Sequence, residues 1–191
     1  MAGWRSDGGG RVCRADPHRC RRSTESKSKH LARRERLRLA FDTSVLIASL
    51  VEDHAEHAVC FPWYRTVVDG GDEGWISTHA LAEFYATMSV LPLRRKLTPA
   101  DTLLLVNESV LNRFSVMDLD VNDYHRALAL VVRRGLRSGG IFDALTETAA
   151  RKADARQLIT LNTRDFARLC DDADTWLIDP RKKNPGQFER S

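Results

Sequence analysis

The sequence lacks the features of several protein classes. Its few cysteines, at positions 13, 20, 60 and 170, follow no CxxC pattern and no regular spacing, which argues against a disulfide framework. It holds no apolar run of about 18 residues that could span a membrane. It also has no positively charged start followed by an apolar stretch, as a secretory signal has. These absences lead us to expect a protein of the reducing cytoplasm.

The composition is that of one folded domain. The chain has 191 residues, of which 42% are hydrophobic, and this is enough to build a single core. A chain that is disordered along its whole length is therefore excluded.

The charge is divided unevenly along the chain. Residues 1–38 hold 12 Lys and Arg against 4 Asp and Glu, whereas residues 39–191 hold 18 against 22. The pI near 9.0 therefore reflects the N-terminal segment and does not mark the folded part as a basic nucleic-acid binder. We expect a disordered Arg-rich extension over residues 1–37, a domain over 38–180 and a polar C-terminal tail over 181–191.

Strand-like and helix-like segments alternate along the domain with short connections. This alternation predicts an α/β fold in which helices cover a parallel sheet. The expected strands cover residues 37–41, 75–77, 115–119, 157–161 and 175–178. Two of the expected helices start near residues 44 and 98. Five others cover residues 54–68, 79–91, 121–134, 141–153 and 163–169.

Four acidic residues stand at the starts of predicted helices or just after predicted strands. Asp42 follows the first strand, Glu83 lies one turn into a helix, Asp143 follows a Gly-Gly pair, and Asp165 follows the fourth strand. Each has an ordinary explanation. Asp42 could cap a helix, Glu83 could face solvent, and Asp143 and Asp165 could complement helix dipoles.

Taken together, the four acids suggest a metal site. The carboxyl ends of parallel strands form the edge of a sheet where ligands bind. Carboxylates gathered there repel one another unless a divalent cation neutralises them, and an all-oxygen shell selects Mg²⁺ or Mn²⁺. Such a centre suits phosphodiester hydrolysis.

Four segments resemble the motifs of a known family. Residues 41–48 (FDTSVLIA), 78–85 (THALAEFY), 139–145 (GGIFDAL) and 160–166 (TLNTRDF) are similar, in this order, to the four acidic motifs of PIN-domain ribonucleases, and of VapC-type toxins in particular. The similarity extends over about residues 38–180. Family members usually begin a few residues before the first strand, whereas this chain carries about 36 more residues there.

The resemblance implies a three-layer α/β/α PIN-like fold with a central, mostly parallel sheet. It implies an endoribonuclease that depends on Mg²⁺ or Mn²⁺ and forms the toxin of a VapBC-type pair. The acids that carry over as catalytic and metal-binding are Asp42, Glu83, Asp143 and Asp165. For the last position Asn162 is the alternative, and Ser44 and Thr160 match small polar positions near the metal.

The resemblance also implies partners, namely an RNA substrate, a second copy of the chain in a homodimer, and a cognate VapB-like antitoxin. The alternative is a non-catalytic PIN-like module that binds RNA or a protein, although such a module has no need of four acids. A phosphatase of the haloacid-dehalogenase type needs a second Asp where Ser44 stands.

Several other polar residues have two interpretations. His54 and His57 could form a metal pair, but an exposed helix start explains them better. Glu147 could join the metal site or face solvent. Two basic clusters could bind RNA phosphates or could be ordinary surface charge. One consists of Arg133, Arg134 and Arg137, and the other of Arg94, Arg95 and Lys96.

Overall fold

The chain folds around a single five-stranded parallel sheet. A computed structural model describes residues 36–93 and 96–187. Its strands are β1 (Arg38–Phe41), β2 (Glu73–Ser77), β3 (Ser115–Met117), β4 (Gln157–Ile159) and β5 (Leu177–Ile178). The strand order is β3-β2-β1-β4-β5 and every neighbouring pair is parallel. The parallel sheet predicted from the alternating pattern is therefore confirmed.

Eight α-helices connect and cover the strands within the described residues. They are α1 (Thr43–Leu50), α2 (His57–Val68), α3 (Thr78–Val90), α4 (Pro99–Leu105), α5 (Val121–Arg133), α6 (Gly140–Lys152), α7 (Thr163–Phe166) and α8 (Ala173–Trp176). A π-helical segment, Val106–Leu111, continues α4. No helix in these ranges is both long enough and apolar enough to cross a membrane.

Alternate residues of the strands feed two hydrophobic cores, one on each face of the sheet. Leu39 and Phe41 of β1 pack with α1, α2, α3 and α4, whereas Ala40 packs with α5, α6 and α7. In the same way Ile159 of β4 joins the first core and Leu158 the second. Because side chains alternate across a strand, this division confirms the three-layer α/β/α arrangement.

Local chemistry explains several element boundaries. Thr98 and Asp101 form a reciprocal capping box before α4, with Pro99 in the first turn, as the sequence predicted. Asp120 and Asp123 form a second capping box before α5. In β2, a Cβ atom at position 74 would lie 2.4 Å from Cδ1 of the Phe114 ring. Only glycine therefore lets the strand and that ring approach so closely.

Some predicted boundaries are wrong because side chains outside the local pattern decide them. The second helix begins at His57 rather than at residue 54, because His54 Nδ1 accepts the Glu56 amide and holds a turn there. The last strand begins at Leu177, since the Asp172 carbonyl accepts the amides of Thr175 and Trp176 and holds them in α8.

The terminal segments differ in how far the structure describes them. The extension expected over residues 1–37 lies outside the described residues except for its last two positions, and Arg94 and Arg95 lie outside them as well. The C-terminal segment does not separate from the domain at residue 180. Arg181 Nη2 donates to the Leu161 carbonyl at 2.7 Å, and the Trp63 indole donates to the Lys183 carbonyl at 3.1 Å.

Candidate active site

Asp42 lies at the end of β1, against the end of β4. Its amide donates to the Ile159 carbonyl, and its side chain is buried, with 8% of the residue exposed. The carboxylate Oδ2 accepts hydrogen bonds from Ser44 Oγ at 2.5 Å and from Thr160 Oγ1 at 2.9 Å. Both hydroxyls therefore support Asp42, at the two positions that the family resemblance implied.

The carboxylate of Asp42 does not act as a helix cap. Asp42 occupies the N-cap position of α1, but its side chain accepts none of the capping N–H bonds, and its carbonyl accepts from Val45 and Leu46 instead. Burial raises the pKa of the carboxyl group, the hydrogen bonds from Ser44 and Thr160 lower it, and the charge of Glu83 raises it again. The backbone amide of Thr43, the first residue of α1, also bonds to the carboxylate and lowers its pKa. Asp42 is thus a buried acid whose contact with the helix start is limited to this adjacent amide.

Glu83 faces the same region and is not an ordinary solvent-exposed carboxylate. Ser77 caps α3 by accepting the Ala80 amide at 3.0 Å, which fixes the start of the helix that carries Glu83. Thr43 Oγ1 then donates to Glu83 Oε2 at 2.9 Å. Sequence reasoning did not identify Thr43, and the only signal for it was a hydroxyl next to Asp42.

Asp143 connects the four acids electrostatically. It stands in the first turn of α6. Burial raises its pKa to about 7, and the charges of Asp42, Asp165 and Glu83 raise it as well. A hydrogen bond from the Asn162 side chain lowers the pKa of Asp143. The structure therefore brings the other three predicted acids within electrostatic range of Asp143.

Asn162 and Asp165 hold different positions around Asp143. Asn162 bonds to Asp143 through its side chain, and its own amide donates to Thr160 Oγ1 at 2.9 Å. Asp165 has 48% of its side chain exposed, and one oxygen lies 3.9 Å from Arg168 Nη1. Asn162 is thus bound into the centre of the site, and Asp165 stands at its rim.

The residues of the site fit a hard divalent cation by their chemistry. The donors are carboxylate oxygens, which Mg²⁺ and Mn²⁺ prefer, and burial, together with the charges of neighbouring acids, raises the pKa values of Asp42 and Asp143. Within residues 36–93 and 96–187, however, no three acidic, histidine or cysteine side chains already stand as a closed ligand set. The acids share one region of the sheet edge, but their oxygens do not converge on a single point.

The other polar candidates take part in local structure. His57 Nδ1 bonds to the Ala48 carbonyl at 3.0 Å, and the His57 ring stacks on Phe61, so the structure favours the helix-start interpretation. Glu147 Oε1 accepts from Arg151 Nε at 3.2 Å, which ties it to that arginine. Arg134 pairs with Asp171. Cys60, Trp63 and Tyr64 are buried in the core.

Comparisons with known proteins identify the family. Residues 39–172 match the model of the PIN domain. Over 127 residues the chain is 33% identical to Ribonuclease VapC27 of Mycobacterium tuberculosis, which covers 66% of this chain and 84% of that protein.

Solved structures agree with the fold. VapBC2 from Rickettsia felis, solved with a DNA fragment from its promoter, matches with a TM-score of 0.52 at 19% identity, covering 74% of this chain and 98% of that one. FitAcB from Neisseria gonorrhoeae matches with a TM-score of 0.52 at 17% identity, covering 76% and 99%. VapC20 of Mycobacterium tuberculosis, described as a toxin that cleaves the sarcin-ricin loop, matches with a TM-score of 0.50 at 19% identity, covering 63% and 86%.

The order of the four motifs, the three-layer fold, the acids gathered at the sheet edge and the matched relatives all agree. The chain belongs to the PIN-domain family and, within it, to the VapC type.

Proposed function

We propose that this chain is a metal-dependent endoribonuclease and acts as the toxin of a VapBC-type pair. The observation that carries the proposal is the state of Asp42. Its carboxylate is buried, is held by two hydroxyls, does not cap α1, and is coupled to Glu83 and Asp143. Burying an acid costs free energy, and one bond to the adjacent Thr43 amide at the helix start offsets little of it, so the retention of this acid supports a chemical role.

The chain's own polar side chains orient the acids. Ser44 and Thr160 donate to one oxygen of Asp42, Thr43 donates to Glu83, and Asn162 donates to Asp143. A hydrogen bond to a carboxylate favours the ionised form and restricts its rotation. These donors therefore restrict the rotation of the carboxylates, and those on Asp42 and Asp143 partly offset the rise in pKa that burial causes.

The acids would hold one or more Mg²⁺ or Mn²⁺ ions, with Asp42, Glu83 and Asp143 as the main ligands and Asp165 as the ligand at the rim. Because no closed ligand set stands in the described structure, the carboxylates would make the last adjustment on binding. A divalent cation at such a site polarises the phosphate and activates a water molecule. The protein contributes the fixed negative donors and the hydroxyls behind them.

The RNA substrate and the partners are supported by the relatives and by the surface. VapC27 is named a ribonuclease, and the matched structures include the complexes VapBC2 and FitAcB. On this chain, α5 leaves a row of large apolar side chains exposed at helical spacing: Val121, Tyr124, Leu128 and Val132. Exposed apolar rows of this kind mark protein contacts, which supports assembly with an antitoxin and as a homodimer.

A cleavage assay on purified full-length protein tests the proposal. A pool of single-stranded RNA is incubated with Mg²⁺, with Mn²⁺ or with chelator, using wild type, Glu83→Gln and the exposed-acid control Glu108→Gln. We expect cleavage by wild type and the control with either metal, none with chelator, and a loss of about 10²-fold in Glu83→Gln. RNA binding by wild type without cleavage under any metal condition would instead favour the non-catalytic module.

A further inference from the structure

A pair of aromatic rings stands beside the acids. The Phe142 ring stacks on the His79 imidazole, with centroids 5.0 Å apart and planes 8° from parallel. The two rings come from different helices, His79 from the first turn of α3 and Phe142 from the first turn of α6. The rings lie in parallel planes, stacked one against the other, and we call the pair the His79–Phe142 platform.

The platform adjoins the acidic site in the sequence and on the helices. Phe142 directly precedes Asp143, and His79 precedes Glu83 by about one helical turn, on the same side of α3. Both helices start at the edge of the sheet where the acids gather. A nucleotide whose phosphate lies at the acids therefore has its base within reach of this surface.

Phe142 is exposed, whereas other phenylalanines of the domain are in the core. It has 47% of its surface exposed, in contrast to four buried rings: Phe41, Phe84, Phe114 and Phe166. A ring that only joined α3 to α6 would gain more stability by turning inward, because removing apolar surface from water is favourable. The exposed part of Phe142 is thus available to a ligand.

We propose that the His79–Phe142 platform stacks against an unpaired base of the RNA next to the scissile phosphate. The inference rests on the proposed function and adds a specificity site to it. Single-stranded RNA is recognised by stacking its splayed bases on aromatic side chains. An acidic centre needs such a contact, because its own charge repels the phosphate backbone. Phe142 supplies the stacking face and His79 supports it from behind.

A fluorescence experiment tests the platform separately from catalysis. The probe is a single-stranded RNA 12-mer with one 2-aminopurine, whose emission falls when the base stacks. It is titrated with full-length protein carrying Asp143→Asn, in Mg²⁺, so that the RNA stays intact. The same background carries Phe142→Leu, Phe142→Trp or the control Leu111→Ala.

Leu111 is a suitable control because it is exposed to a similar degree, at 42%. It ends the π-helical segment shortly before β3 begins at Ser115, so it stands near the amino end of the parallel sheet, whereas the acids gather at the carboxyl end. Melting temperatures of all variants show whether any of them loses its fold.

We expect Phe142→Leu to lose the quenching and to bind about fivefold more weakly or worse, while Phe142→Trp and Leu111→Ala keep both. Unchanged quenching and affinity in Phe142→Leu, or equal losses in Leu111→Ala, would overturn the platform.

Failure of the proposed function is recognised separately, on the same RNA with the wild-type chain. If wild type cleaves the probe but Phe142→Leu in the wild-type background cleaves it equally well and at the same positions, only the platform is wrong. If wild type neither binds nor cleaves RNA, the proposed function fails and the platform fails with it.

Discussion

Thr160 donates its hydroxyl hydrogen to the buried carboxylate of Asp42 at 2.9 Å and thereby joins the ends of β4 and β1. The Thr160 amide is itself fixed to the Ile178 carbonyl of β5 at 3.0 Å. Three neighbouring strand ends therefore hold one acid in place. A catalytic group needs this kind of support, since small displacements of reacting groups cost large factors in rate.

Removing this hydroxyl should impair catalysis more than folding. Thr160→Val keeps the shape of the side chain but leaves Asp42 with the Ser44 hydrogen bond as its remaining hydroxyl contact. We expect RNA cleavage to fall about tenfold or more, because a hydrogen bond to a charged group is worth about 1.5–3 kcal/mol.

The matched control is Thr175→Val, which removes an exposed hydroxyl bonded to the Asp172 carbonyl. Steady-state cleavage rates and melting curves compare the two variants. Equal activity in Thr160→Val and Thr175→Val would show that the support of Asp42 is unimportant.

The metal-free protein should lose stability as the pH rises toward neutrality. Burial and three neighbouring acids raise the Asp143 pKa from 3.8 to about 7, and burial raises that of Asp42 too. Between the unfolded-state and folded-state pKa values of Asp143, the unfolded chain binds fewer protons than the folded one. The free energy of unfolding therefore falls from about pH 4 to about pH 7 and then levels off.

Asp143→Asn should make this loss smaller, because the amide carries no charge at any pH in the range. Melting temperatures of wild type and Asp143→Asn in chelator, from pH 4.5 to pH 8, measure the effect. A wild-type curve that rises over this range while the variant stays flat would refute the electrostatic description of the site.

A second buried acid is structural, and its disruption should spare catalysis. The Asp123 carboxylate is bound by Lys152 at 2.6 Å and by Arg126, and it caps α5 together with Asp120. Lys152→Met should lower the free energy of unfolding at pH 7 by about 2 kcal/mol, since Asp123 keeps its other partners. RNA cleavage below the melting transition should stay close to that of wild type.

The effect of Lys152→Met should depend on pH. The hydrogen bond from Lys152 and the backbone bond from Asp120 hold the pKa of Asp123 below its usual 3.8. The stability that these bonds give to the folded state is complete above pH 3.8, and it is lost as the pH falls through the folded-state pKa of Asp123. Urea unfolding at pH 7 and at pH 3 measures how far the free energy of unfolding of Lys152→Met lies below that of wild type, with the exposed Lys182→Met as control. A deficit that grows on acidification would contradict the assigned ion pair.

Residues close in sequence to a strand end were predictable, and contacts between distant helices were not. The alternating pattern placed Asp42 after a strand, and the motif resemblance put Ser44 and Thr160 beside it. The bond from Thr43 to Glu83 and the stacking of His79 on Phe142 depend on how α3 approaches α1 and α6. Periodicity carries no information on those approaches.

The fourth motif shows the same limit. The resemblance implied Asp165, with Asn162 as the alternative, because both follow β4 within a short turn. The structure separates them since the Asn162 amide is fixed by Thr160, which aims its side chain at Asp143. A three-residue shift in a turn changes the direction of a side chain, and the sequence pattern does not define that direction.

The central claim is that Asp42 serves a metal-dependent cleavage reaction, and Asp42→Asn tests it most directly. RNA cleavage with Mg²⁺ and with Mn²⁺ is measured for this variant and for the exposed-acid control Asp69→Asn, and both proteins are melted without metal. We predict that Asp42→Asn loses about 10²-fold or more of the activity, with a metal-free melting temperature equal to or above that of wild type, because a buried repelling charge is removed. Cleavage by Asp42→Asn at the wild-type rate would contradict the account.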